Sequence, residues 1–170
     1  MGISADKIRN IALIGHSGEG KTTLAEAILF NMKVTDRQGR VEDGNTVMDF
    51  DPEEIAKKSS ISLATASGMF NGYKINLIDT PGFFDFECEM NLALDAADCA
   101  VIVTGGSGSL TVGTEKAIDY CVARKIPAIL FINGLDKDNS SFIKTVAAIK
   151  EKYGNKIAPM IVPDIVDEKM

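Results

Sequence analysis

The stretch GHSGEGKT, residues 15–22, fits the pattern G-x-x-x-x-G-K-[ST] and sits between IRNIALIG (8–15), an apolar strand pattern, and KTTLAEAILF (21–30), a helix pattern with Leu24, Ile28 and Leu29 on one side. That junction constrains the chain more than any other feature. Glycines let successive backbone N–H groups turn inward around a polyphosphate, and the helix that starts at Lys21 adds the positive end of its dipole. Lys21 is expected to reach the outer phosphates and Thr22 to ligate Mg²⁺. Gly15, His16, Ser17, Gly18, Glu19, Gly20, Lys21, Thr22 and Thr23 form the expected cradle. His16, the only histidine, is expected to pack away from the phosphates rather than to do acid–base chemistry.

Downstream, strand and helix patterns alternate, which favours a mostly parallel sheet with helices on both faces. ISLATASGMF and YKINLID flank Asn71-Gly72 and read as an antiparallel pair on a tight turn. A helix at about 86–96, the strand CAVIVT, a helix at about 112–124 and the strand PAILFIN follow. In SSFIKTVAAIKEKYG the residues Phe142, Val146, Ile149 and Tyr153 share a helical face, with Ser140 as cap and Gly154 as stop, and a last strand is expected in KIAPMIVP. Between Asn31 and Ser60 the periodicity fails. MDFDPEE, with Asp49, Asp51, Glu53 and Glu54, reads as a solvated loop, and TGGSGS (104–109), which has no lysine after it, as an ordinary loop.

The length of 170 residues suits one compact domain. Three cysteines without CxxC spacing, Cys88, Cys99 and Cys121, read as reduced thiols, and no apolar run approaches the ~18 residues of a membrane span, so a cytoplasmic protein is expected. Eighteen basic against 24 acidic residues, a net charge of −6, argue against a basic face that reads nucleic acid directly.

Two later elements suit the same site. INLIDTPG (75–82) is an apolar strand ending in Asp79, a carboxylate placed to hold the Mg²⁺ hydration shell, and the N–H of Gly82 can meet a terminal phosphate, which makes a switch. INGLDK (132–137) closes a later strand on the edge where a base should land. Asp136 offers two acceptors for the N1–H and 2-amino groups of guanine, and Asn133 would brace the loop and contact the N7 side.

Together RNIALIGHSGEGKTTL, GNTVMDFDPEE, SSISLATA, YKINLIDTPGFFDFECEM, VGTEKA and ILFINGLDK resemble translational GTPases, most closely the GTP-binding domain of elongation factor G and its bacterial relatives, over about Ile8 to Pro163. The resemblance implies a P-loop NTPase of the Ras-like GTPase type, a three-layer α/β sandwich whose mostly parallel sheet has one antiparallel strand. It implies GTP and GDP as ligands, Mg²⁺ held by Thr22, Ser60 and Asp79, and the ribosome as partner of a monomeric, longer factor. Residues 1–170 would be the N-terminal GTP-binding domain, lacking its last elements. Ser60 falls where the family has its first switch threonine.

The departures carry as much information. Gly134 replaces the lysine whose stem covers the base in Asn-Lys-x-Asp, at a cost of about 0.5–1 kcal/mol. Phe83 replaces the histidine that positions the attacking water, so the catalytic set shrinks to Lys21 and Gly82 beside a phenylalanine that cannot hydrogen-bond. Gly18 stands where many relatives carry an aspartate that ligates a monovalent cation, and no Ser-Ala pair follows Asp136 to close over guanine. Slow, ribosome-stimulated GTP hydrolysis is the leading expectation. A GTP-responsive switch with negligible hydrolysis, and a generic ATP-binding P-loop protein, are the alternatives.

Overall fold

The computed structural model describes residues 2–164. Five strands, β1 (Ile8–Gly15), β2 (Ala64–Phe70), β3 (Tyr73–Asp79), β4 (Cys99–Gly105) and β5 (Ala128–Asn133), form one sheet in the order β2-β3-β1-β4-β5. β2 runs antiparallel to β3, and every other pair is parallel. The single antiparallel pair follows from Asn71 and Gly72, both at positive φ in the two-residue turn. The parallel pairs need crossovers, supplied by the helices α1 (Lys21–Asn31), α3 (Glu87–Ala96) and α4 (Val112–Arg124). A short α2 (Pro52–Lys57) and a C-terminal α5 (Phe142–Tyr153) complete the helices used below.

The core lies in two layers, one on each face of the sheet. On one face Leu13 and Leu77 pack with Ala25 and Leu29 of α1, and Met48 reaches this layer from the connection between α1 and β2. On the other, Ile14, Ile78, Ala100 and Ile102 meet Leu94 of α3 and Ile118 of α4. The central strands β1, β3 and β4 are buried on both faces near their carboxyl ends, which explains why their sequences are apolar runs rather than alternations. All three end beside the phosphate loop: Leu13 pairs with Asp79, and Gly15 with Val103.

Three expectations are corrected. KIAPMIVP forms no strand; Met160, Ile161 and Val162 are exposed, and the outer edge of β5 has no partner among the described residues. Strand propensity is a response to a pleated, half-buried neighbour, and that neighbour is missing. The cap of α5 is Ser141, whose hydroxyl accepts from the Lys144 N–H; Ser140 is spent one turn earlier, its N–H on Lys137 O and its hydroxyl on Leu135 O. MDFDPEE is no solvated loop. Asp49 and Glu54 are buried, and Asp51 caps α2 in a capping box with Glu54.

TGGSGS is a structural connection, as expected. Gly106 donates its N–H to Asn133 O and accepts from Ser141 N, which fastens the ends of β4 and β5 to the start of α5. Among the described residues no helix is long and apolar enough to cross a membrane.

Ile102 sits at the centre of the second layer and is 1% exposed. Ile102→Ala should lower the unfolding free energy by about 2–5 kcal/mol and Ile102→Val by about 0.5–1.5 kcal/mol, measured by urea denaturation.

Candidate functional site

At the carboxyl edge of the sheet a cavity of about 160 Å³ opens between the phosphate loop and the 39–62 segment. Its walls bring together Ser17, Gly18, Gly20, Lys21, Thr22, Thr23, Ser60 and Gly82 with five residues that the sequence reading did not assign to the site: Val41, Glu42, Asp49, Lys58 and Ser59. The loop reverses through Gly20 at φ 92, a conformation L side chains rarely hold, and a Cβ there would collide with the Asn133 amide. Gly82 is equally crowded: its carbonyl accepts from Ser17 N at 3.1 Å, and a side chain would strike the Lys21 ammonium.

The base of the cavity is a hydrogen-bonded set of oxygens. The Thr22 hydroxyl donates to Asp79 Oδ2 at 2.7 Å and lies 3.1 Å from the Ser60 hydroxyl, which in turn donates to Asp49 Oδ1 at 2.7 Å. Asp79 Oδ1 and Asp49 Oδ2 are buried without a hydrogen-bond partner. Among the described residues no three His, Cys, Asp or Glu side chains cluster as a metal site; two hydroxyls and two carboxylates converge here instead. Hard oxygen donors with buried lone pairs left over suit Mg²⁺, which binds few protein ligands and keeps its waters. Burial pushes the Asp79 carboxyl up to about 7 against the opposing pull of Thr22 and Lys21, and burial likewise raises Asp49. Burial lowers the Lys21 ammonium while Asp79, Glu19 and Asp49 oppose it. Its Nζ donates to His16 O at 2.9 Å, so the lysine folds along the loop it serves.

His16 packs against the start of α4: a Cβ on Gly113 would lie within 3 Å of its side-chain atoms. Phe83 is half exposed and lines a smaller neighbouring cavity with Glu87, Met90 and Lys116. Glu87 accepts from Tyr120 and from Lys116 at 3.2 Å, tying α3 to α4 behind that cavity.

The 133–137 loop is tied to the phosphate loop by a side-chain bond. The Asn133 amide donates to Glu19 O at 2.9 Å, so the end of β5 is fastened to the middle of the phosphate loop. Gly134 follows at φ 67, the Lys137 N–H returns to Gly134 O at 3.2 Å, and Asp136 stands exposed in that turn.

Sequence reasoning missed what orders the 39–62 segment. Glu26 of α1 is fully buried, and its Oε1 accepts from the N–H groups of Val47 and Met48 at 2.7 and 3.1 Å. Gly39 packs so tightly on the other oxygen that a side chain there would collide with it. Glu54 does the same for the next stretch, accepting from Ile61 and Ser62 at 2.9 and 3.1 Å. The available signal was a glutamate on the apolar side of α1, one residue after Ala25.

A family model described as the elongation factor Tu GTP binding domain matches residues 6–164. The chain is 39% identical over 156 residues to the elongation factor G-like protein of Mycobacterium tuberculosis (strain H37Rv), covering 92% of this chain and 22% of that protein. It is 34% identical over 158 residues to elongation factor G of Dehalococcoides mccartyi (strain CBDB1), covering 93% and 23%. Against the mitochondrial ribosome-releasing factor 2 of Scheffersomyces stipitis it is 35% identical over 167 residues, covering 98% and 20%. The crystal structure of a protein from Thermus thermophilus superposes with a TM-score of 0.82 at 34% identity, over 87% of this chain and 22% of that one. The chain therefore spans about a fifth of the length of these relatives.

Glu26→Ala should unpair two backbone N–H groups and lower stability by about 2–4 kcal/mol, whereas Glu26→Gln, which keeps an acceptor, should cost less than half of that; thermal unfolding with limited proteolysis of the 39–62 segment measures both.

Proposed function

The chain belongs to the elongation factor Tu GTP-binding domain family, in its elongation-factor-G-like branch, and we propose that it is a Mg²⁺-dependent GTP switch that hydrolyses GTP slowly and acts with the ribosome as part of a longer factor. The observation that carries this reading is the Thr22–Asp79–Ser60–Asp49 oxygen set at the foot of the phosphate loop. Mg²⁺ would supply positive charge there against the negative charge of the phosphates. Thr22, Ser60, Asp79 and Asp49 are the residues that would hold it.

Each of the other residues has a task that its position permits. The N–H groups of the loop from Ser17 to Thr23 surround the phosphates, and Lys21 leaves His16 O to meet their oxygens. Gly82, packed on Ser17, offers its N–H to the terminal phosphate, and loss of that phosphate frees the Pro81–Phe83 stretch. Ser60 couples the 39–62 segment to the same event through its bonds to Thr22 and Asp49. Asn133 holds the base-reading loop to the phosphate loop, and Asp136 reads the guanine edge. Since adenine offers an acceptor where guanine offers a donor pair, Asp136 sets the base preference.

Phe83 supplies neither a hydrogen bond nor a proton relay to the attacking water, and a positioned acid–base group contributes typically about 10²–10⁴ in rate. Intrinsic hydrolysis is therefore slow. Ribosome contact is proposed because relatives are named for elongation and ribosome release. A second reading, a switch that binds GTP and the ribosome with negligible turnover, is favoured by Phe83 together with Gly134.

Fluorescent GDP and GTP titrated into the chain with Mg²⁺ should be displaced by unlabelled GTP but not by ATP; displacement by ATP at equal concentration would point to a generic ATP site instead. Restoring the family residue with Phe83→His should raise single-turnover GTP hydrolysis by at least about tenfold, read as phosphate release with ribosomes present. An unchanged rate would remove position 83 from the catalytic set and favour the non-hydrolysing switch.

A further inference from the structure

Two lysines line the phosphate cavity, and the function proposed above uses only Lys21. We infer that Lys58 is a second phosphate-binding cation, supplied in cis by the 39–62 segment, that distinguishes the triphosphate from the diphosphate. The inference rests on the GTP-binding reading and adds to it a residue that selects the state of the switch.

Lys58 is the C-cap of α2, at φ 52 and ψ 41, and its N–H returns to Glu54 O and Ile55 O. Lys33 and Lys125 hold the same left-handed conformation elsewhere, so the backbone alone does not single it out. Its place does. Lys58 stands on the cavity wall opposite the phosphate loop, two residues before Ser60, whose hydroxyl is bonded to both Thr22 and Asp49. The backbone that follows it is anchored by one buried residue: Ser59 N bonds Glu54 O, and Ile61 N and Ser62 N bond the Glu54 carboxylate. The chain leaves α2 by the left-handed turn at Lys58, and Lys58, Ser59 and Ser60 all line the cavity.

The charges around the cavity leave room for a further cation. Asp79 and Asp49 put two carboxylates at its base, and Glu42 adds an exposed one on the wall, against the single buried ammonium of Lys21. A nucleoside triphosphate brings more negative charge, concentrated at its outer end. Neighbouring Lys57 pairs with Glu53 at 3.8 Å, whereas no described carboxylate lies within ion-pair distance of Lys58. A cation held on an anchored turn beside the outer phosphate costs little rearrangement when the ligand arrives. The diphosphate lacks the group that Lys58 would contact.

Two variants test this on the full chain with Mg²⁺ present. Lys58→Gly keeps the left-handed turn and removes the charge; Lys58→Arg keeps the charge. With a fluorescent non-hydrolysable GTP analogue and fluorescent GDP as probes, Lys58→Gly should weaken the GTP analogue roughly tenfold and GDP by less than about twofold, and Lys58→Arg should stay within about threefold of the parent for both. Thermal unfolding of Lys58→Gly should be unchanged or raised, which separates loss of the cation from loss of the fold. Equal weakening of both nucleotides, no weakening of either, or an arginine variant as weak as the glycine one would overturn the inference. If the parent chain binds both probes and Lys58→Gly matches it, this inference alone falls. If the parent binds neither, the GTP-binding reading falls with it.

Discussion

A single hydroxyl-to-carboxylate hydrogen bond, Thr22 to Asp79 at 2.7 Å, joins the two halves of the candidate site, and most of the surrounding structure serves to hold its ends. Thr22 is placed by the start of α1, which is fixed by the left-handed turn at Gly20. Asp79 is placed by the last pairing of β3 with β1, opposite Leu13. The next residue locks the same corner, since the Thr80 hydroxyl donates to Leu13 O at 2.8 Å in full burial. An ionised carboxylate in such a place is unfavourable by itself, and burial drives its pKa to about 7. The protein thus keeps at neutral pH an acidic group that folding alone would disfavour, which fits a group retained for a cation.

The 39–62 segment repeats this theme with three more buried carboxylates. Glu26 and Glu54 grip backbone N–H groups, and Asp49 grips the Ser60 hydroxyl. None of the three has an ion-pair partner among the described residues, so the segment is held by hydrogen bonds to charged acceptors, which are individually strong and directional. Such a clamp is cooperative. Removing Ser60 from Thr22 would also loosen Asp49, and Asp49 neighbours Met48, the apolar plug in the core layer against α1. The hydroxyl-carboxylate chain from Thr22 thus ends one residue from the packed core.

How much of this was legible depended on how local each cause was. The phosphate loop, the Asn71-Gly72 hairpin and the helix over 112–124 were readable because glycine placement and apolar period act within a few residues. The order in 39–62 was not, because the group that imposes it, Glu26, lies 21 residues before the Val47 N–H that it holds. Asp49 looked like one more solvated charge until Ser60 and Thr22 were brought beside it. KIAPMIVP misled in the opposite sense, since β-branched and apolar composition is only a capacity to form a strand, and the open edge of β5 shows that no described residue is paired with it. At α5 the cap read as Ser140 is Ser141, because the turn at 134–140 takes up both the N–H and the hydroxyl of Ser140.

The bond from Asn133 to Glu19 O has a consequence in time as well as in space. Its partners are 114 residues apart, so the phosphate loop, encoded within the first two dozen residues, gains this bond only once β5 has docked beside β4. During synthesis the loop would wait for this bond until β5 has been made. The shape of the loop thus depends on a strand encoded 114 residues further along the chain.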